Sequence, residues 1–345
     1  MVCYLYSIES VMFLILVNRM ACILVVGIRT PEIKLKPYIL LLEFWKPKIL
    51  DKSFMSESTK ILLTGATGLL GKEVVKLLDA SELHFLLRGN SCISGNSNSY
   101  CYQVDLSENW TTNDLPEKID AVIHLAQSEH FREFPSKACN IFRVNVESTA
   151  RLLDYAYRSG AKHFIYASSG GVYGHGSLAF KENAPVVDSG KLGYYLSSKY
   201  ASEMLVKQYS SLMQVTILRF FFIYGQGQKR SMLLPRLIDR IRRREPINLQ
   251  GQNGIRINPI HVSDAPKALV ATLGVSGNQI FNIAGNEEMS LFEICEIISD
   301  QQQIPAIFQR SDTRPKDLIG DVSVMKEKLH VPEIPFDKGI KDLIF

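Results

Sequence analysis

Tyr195 and Lys199 stand four residues apart in the stretch YYLSSK (194–199). A phenol titrates near pH ~10, so an unassisted tyrosine is a poor base at neutral pH. On a helix, a spacing of four puts both side chains on one face. An ammonium held there favours the phenolate and brings the phenol into range for proton transfer. Tyr194 is the rival phenol, but its spacing of five from Lys199 takes it off that face. Many solvated helices carry the same spacing, so the pair needs support from the rest of the chain.

A second group with chemical meaning is TGATGLLG (64–71), with glycines at 65, 68 and 71. It joins an apolar run, KILLTG (60–65), to KEVVKLLDA (72–80), whose apolar residues recur with helical spacing. Glycines at such a turn let backbone N–H groups and a helix N-terminus approach a pyrophosphate. Gly65, Thr67, Gly68, Leu69, Leu70 and Gly71 are therefore expected to hold a dinucleotide. NAD-preferring proteins of this type usually end the second strand in a carboxylate that bonds the ribose 2′-hydroxyl. Here LHFLLR (83–88) ends in Arg88, with Gly89 and Asn90 after it. A guanidinium can pair with a 2′-phosphate, or stack on adenine without one. The expected cofactor is NAD(P), with NADP favoured over NAD.

Positioning these groups requires alternating strands and helices. Apolar, strand-like runs occur at 60–65, 83–88, 120–126, 163–169 and 214–222, and helical patterns at 72–80 and 145–160. That order predicts an α/β fold, a Rossmann-type doubly wound parallel sheet. SCISGNSNS (91–99) reads as a polar loop. After residue 225 the alternation loosens, and 231–244 and 291–300 read as helices of a smaller C-terminal substrate-binding domain. The expected organisation is an NAD(P)-binding domain at 55–225 and a mainly substrate-binding domain at 226–345. Some strands of the latter should return to the first sheet.

Residues 1–54 read as a leader outside this fold. The stretch 11–28 is apolar, but Asn18 and Arg19 sit in its middle. A charge at the centre of a span costs ~2.5–3.5 kcal/mol on insertion scales. No small-residue cleavage site follows. An anchor and an extra structural segment remain alternatives to a start of translation at Met55, where MSESTKILLTG makes a short polar lead into the first strand.

Composition narrows the function. The formal charge is +4, of which residues 1–54 hold +3. The body is thus close to neutral and carries no nucleic-acid footprint. The six cysteines form no C-x-x-C pair and suit a reducing cytoplasmic setting.

Taken together the motifs resemble the extended short-chain dehydrogenase/reductases, the NAD(P)-dependent nucleotide-sugar epimerases, dehydratases and reductases. The resemblance runs from about residue 59 to 300. It rests on TGATGLLG, VDL (104–106), DAVIHLAQ (120–127), NVESTARLL (145–153), FIYASSGGVYG (164–174), YYLSSK, LRFFFIYGQG (218–227), IHVSDA (260–265) and FNIAGNEEMSLFEI (281–294). It implies that Ser169 binds the reacting hydroxyl, that Tyr195 is the acid–base, and that Lys199 lowers the phenol pKa and bonds the nicotinamide ribose. It implies cofactor contacts from Asp105, Leu106, Leu125, Ala126 and Asn145 as well. A homodimer and a nucleotide-activated sugar substrate follow from the same resemblance.

On the residues themselves, Asp105 also reads as a turn carboxylate and Asn145 as a cap of the helix at 145–160. His124 reads as a core histidine, Asp264 as a helix cap, and RIRRR (240–244) as a solvated helix face.

Two departures refine the expectation. Dehydratases of this family carry an Asp-Glu pair after the catalytic Ser/Thr, where this chain has Gly170 and Gly171. Glycine moves no proton, which argues against dehydration. In the pattern L-R-x-x-N-x-x-G the asparagine that holds the sugar-nucleotide diphosphate is replaced by Phe222. The expected activity is epimerisation or 4-keto reduction of a sugar nucleotide. The alternative is a non-catalytic NAD(P)-binding regulator.

Overall fold

The computed structural model describes residues 59–78, 81–89 and 98–344, together with the backbone of strand segments 2–8, 11–18, 21–28 and 38–42. Met1–Asp51 and Lys52–Phe345 are separate compact units. In the first, the four segments pair antiparallel in chain order. The rest of the expected leader, the lead from Met55 and most of the polar loop at 91–99 lie outside the described residues. No helix among the described residues is long and apolar enough to cross a membrane.

The second unit is built on a seven-stranded sheet. Its elements in chain order are β1 (Lys60–Thr64), α1 (Leu69–Leu77), β2 (Glu82–Leu87), β3 (Ser99–Gln103), β4 (Ala121–His124), α2 (Ser148–Arg158), β5 (His163–Ser169), α3 (Gly193–Gln208), β6 (Gln214–Phe220) and β7 (Gln279–Ile283). The strands lie in the order β7-β6-β5-β4-β1-β2-β3, and every pairing is parallel. The order reverses between β1 and β4, which opens a crevice at the carboxyl ends of the strands.

Successive side chains of a strand face opposite ways, so each apolar run feeds two cores. Ile61 and Leu63 of β1 join Val74 of α1 and Phe85 on one face. Leu62, between them, joins Leu152, Leu153 and Phe164 on the other. A third cluster gathers α4 (Leu233–Arg242) and α6 (Leu291–Gln302) around Ile238, Ile294 and Phe336. Between these helices, α5 (Ala265–Ala271) packs against α1.

Three elements differ from the expectation. β3 (SYCYQ) carries no apolar run; as the edge strand it is mostly solvated, and main-chain bonds to β2 define it. α1 starts at Leu69, three residues before the helical spacing becomes visible. The helix expected at 145–160 becomes α-helical only at Ser148; a π-helical turn (Arg143–Glu147) and a short helix (Ala138–Phe142) lead into it.

Candidate active site

A cleft of ≈ 790 Å³ lies over the carboxyl ends of β1, β4 and β5. Gly65, Thr67, Gly68, Leu69, Leu70 and Gly71 line it, as do Arg88, Asp105, Leu106, Leu125 and Ala126. Ser169, Tyr195 and Lys199 line the same cleft.

The glycine turn is packed too tightly for side chains. A Cβ at Gly71 would sit 2.1 Å from the Gly65 carbonyl oxygen, and one at Gly65 would sit 2.8 Å from the Ala126 nitrogen. Gly65 also has φ +75°, a conformation that favours glycine. The Gly68 N–H donates to the Gly65 carbonyl at 3.0 Å. No side chain caps α1 at Gly68, so its first-turn N–H groups are left for an anionic ligand. This chemistry fits a dinucleotide pyrophosphate.

Asp105 accepts from the Ser107 N–H at 2.9 Å and from its hydroxyl at 2.7 Å. Burial works against its charge, but those bonds and the nearby Arg88 hold the carboxyl below its ordinary range. Arg88 lines the cleft as expected, but its guanidinium is engaged: Nη1 lies 2.7 Å from Glu129 Oε1. Glu129 is thus a carboxylate beside Arg88 that the sequence around β2 does not show, and the NADP preference read from Arg88 is not supported.

Asn145 stands apart from the other candidates. It is buried within the π-helical turn and does not line the cleft. It is not the N-cap of the π-helical turn or of α2. Its Oδ1 accepts from the Ser128 N–H and its Nδ2 donates to Ser198 Oγ, each at 2.9 Å. Asn145 is thus a brace between the loop after β4 and α3, the helix of Tyr195 and Lys199.

Lys199 is 2% exposed and donates to the Ala167 carbonyl at 2.9 Å, with Nζ 5.1 Å from the centre of the Tyr166 ring. Burial pushes its pKa down to about 7, against a smaller upward pull from Glu203. Burial pushes the Tyr195 phenol up. This is the reverse of the lowering expected from the spacing, because desolvation acts on both groups and the ammonium is turned to a carbonyl. The phenol donates to Gln127 Oε1 at 2.8 Å, and its ring packs on Phe131. Gln127 also lines the cleft, and sequence reasoning missed it. Its one signal was its place directly after the DAVIHLA strand. Tyr194 instead stacks on Phe134, 4.7 Å between centroids. Ser169 ends β5, and its Oγ accepts from the Gly171 N–H at 3.2 Å.

The double glycine after Ser169 has a steric cause. A Cβ on Gly170 would lie 2.3–2.5 Å from three ring carbons of Phe221. The aromatic ring therefore fills the space that a side chain at position 170 would need. Phe222, in the place of the expected asparagine, lines the cleft with φ +39°, an uncommon conformation for an aromatic residue.

The remaining candidates lie outside the cleft lining. His124 is a core histidine, bonded to Thr64 Oγ1 at 2.7 Å and Thr149 Oγ1 at 3.1 Å, and burial pushes its pKa down to about 3. Asp264 precedes α5 but makes no side-chain cap bond. Its carboxylate instead accepts from the Glu333 and Ile334 N–H groups and meets His330 Nε2. Arg240 and Arg242 of the basic run bond the Pro246 and Ile344 carbonyls.

The model of the NAD dependent epimerase/dehydratase family matches residues 61–284. The chain is 28% identical to dTDP-D-glucose 4,6-dehydratase of Mus musculus over 321 residues, covering 84% of this chain and 88% of that one. It is 25% identical to UDP-glucuronate 4-epimerase of Thermodesulfobacterium geofontis, covering 81% and 93%. UDP-glucuronic acid 4-epimerase from Bacillus cereus, solved with UDP-glucuronic acid and NAD, has the same fold. Its TM-score is 0.72 at 23% identity, covering 83% of this chain and 98% of that one.

Proposed function

The chain belongs to the NAD dependent epimerase/dehydratase family, and from that premise we propose that it epimerises a carbinol carbon of a nucleotide-activated sugar, with NAD as resident cofactor. The observation that carries this reading is that Ser169, Tyr195 and Lys199 line the same cleft as the glycine turn. The relatives of known activity act on sugar nucleotides, and the solved relative holds NAD.

NAD would be held by Gly65–Gly71, with Asp105 and Arg88 toward its adenosine, and it supplies a hydride acceptor. Ser169 Oγ binds the reacting hydroxyl, and Tyr195 removes its proton as the carbon becomes a ketone. Bound NAD would supply both the acceptor and the donor of the hydride, and Tyr195 would give the same proton back to the oxygen, so that every group is restored. Lys199, one turn along α3 from Tyr195, is the residue that would supply positive charge to the phenol in its protonated form. Dehydration needs a further acid beside Ser169, and the Phe221 ring leaves no room for a side chain at position 170.

The test is to incubate the protein with NAD and UDP-glucuronate or UDP-glucose and to resolve the products by ion-exchange chromatography and proton NMR. The expected product is the C4 epimer, formed without net NADH. A 4-keto-6-deoxy product, or turnover only with stoichiometric NADPH, would replace the reading by dehydration or reduction. Dinucleotide binding with no turnover of any sugar nucleotide would leave the non-catalytic reading.

A further inference from the structure

We propose that Glu129 sets the dinucleotide preference of this chain, selecting NAD over NADP from the loop after β4. The inference rests on the reading that the cleft holds a dinucleotide, and it names the residue that discriminates at the ribose 2′ position.

The end of β2 is where a carboxylate usually takes the ribose 2′-hydroxyl. LHFLLRGN (83–90) contains none. Among the described residues the place is open: Arg88 is 63% exposed along its side chain, and a Cβ added at Gly89 would meet none of them within 4 Å. Into this space comes Glu129, from 41 residues further along the chain. Its Oε1 lies 2.7 Å from Arg88 Nη1, and its Oε2 lies 3.8 Å from Lys229 Nζ. All three residues line the cleft.

The consequence follows from charge. A 2′-phosphate adds roughly two negative charges, with its second proton lost near pH ~6. To reach Arg88 it must displace Glu129 and leave that carboxylate beside the phosphate. A 2′-hydroxyl meets no such conflict, because a carboxylate oxygen accepts its hydrogen bond while Arg88 stays paired. Asp105, which also acts on Arg88, adds a second negative charge on that side. Lys229 meets Glu129 only at the limit of an ion pair and on a largely exposed side chain, so it compensates little. The carboxylate expected at the end of β2 is therefore supplied in space by another strand's loop.

The experiment is to titrate NADH and NADPH, followed by nicotinamide fluorescence, into wild type, Glu129→Gln and Glu129→Gln/Arg88→Ala. Wild type should bind NADH at least ~10-fold more tightly, since one unfavourable charge contact of ~1.4 kcal/mol corresponds to tenfold. Glu129→Gln should strengthen NADPH by a similar factor and weaken NADH no more than a few-fold. Adding Arg88→Ala should abolish that gain, which shows that Arg88 had been released. A wild-type preference for NADPH, or an unchanged ratio in Glu129→Gln, overturns the assignment. Binding of neither dinucleotide to wild type overturns the cofactor reading and this assignment with it.

Discussion

Arg219 and Glu203 are joined by two charge-assisted hydrogen bonds, Nε to Oε1 at 3.0 Å and Nη2 to Oε2 at 2.7 Å, with both side chains essentially out of water. Glu203 lies one helical turn beyond Lys199 on α3, and its Oε1 also accepts from the Ser168 hydroxyl at 2.6 Å. The guanidinium sits 4.6 Å from the centre of the Tyr173 ring. One ion pair therefore ties the helix of Tyr195 and Lys199 to β6 and to the residue before Ser169.

Breaking this pair should be costly. Glu203→Ala leaves an unpaired guanidinium in the interior, and such losses are typically ~3–5 kcal/mol. Urea unfolding of wild type and variant reads the difference directly. A loss below ~1 kcal/mol would show that water reaches the pair. Replacing both residues by methionine should be milder than Glu203→Ala, because no charge is left behind.

Tyr195→Phe removes only the hydroxyl that donates to Gln127 Oε1. Turnover should fall by ~10²–10⁴-fold, the usual contribution of a general acid–base group. Dinucleotide affinity, measured by the same fluorescence titration, should stay within a few-fold of wild type. Rates within a few-fold of wild type would remove Tyr195 from the chemistry.

Gly170→Ala tests the aromatic ring behind Ser169. The new Cβ would fall 2.3–2.5 Å from the Phe221 ring carbons, and Phe221 is 1% exposed with little room to yield. Overpacking of this kind typically costs ~1–3 kcal/mol. Phe221→Leu in the same chain should recover a large part of that loss. If Gly170→Ala unfolds at the same urea concentration as wild type, the ring is not fixed where the cleft needs it.

The contrast between β1 and β3 shows what could be read in advance. β1, β4, β5 and β6 are buried on both faces, so each announces itself as a short apolar run. Among the described residues β3 pairs on one side only and stays largely solvated, so its residues carry no such signal. The same division holds in the site. Gly65–Gly71 and the Tyr195–Lys199 pair are local patterns whose meaning lies within one turn or one helix. Gln127 and Glu129 meet residues 68 and 41 positions away in sequence, Tyr195 and Arg88. The reason for Gly170 lies in a ring on another strand's end. Proximity made by the fold, rather than by sequence spacing, also explains the contacts that Asn145 and Asp264 make.

The pH dependence of stability should carry the mark of Lys199. Its pKa is pushed down to about 7 by burial, below the ordinary value of 10.5 that it regains on unfolding. Between those two values the unfolded chain binds the extra proton, so stability rises with pH across that window. Below about pH 7 both states hold the proton and the cost of burying the charge is fully present; above 10.5 neither does and the cost is gone. One proton corresponds to a slope of at most ~1.4 kcal/mol per pH unit. Lys199→Met removes the titrating group while keeping most of the side-chain volume. Urea unfolding at pH 6.5, 8 and 9.5 should show wild type gaining on Lys199→Met as pH rises, with the difference growing chiefly above pH 7. A constant difference between the two across this range would mean that the ammonium stays charged in the folded protein, held by Glu203 and the Ala167 carbonyl.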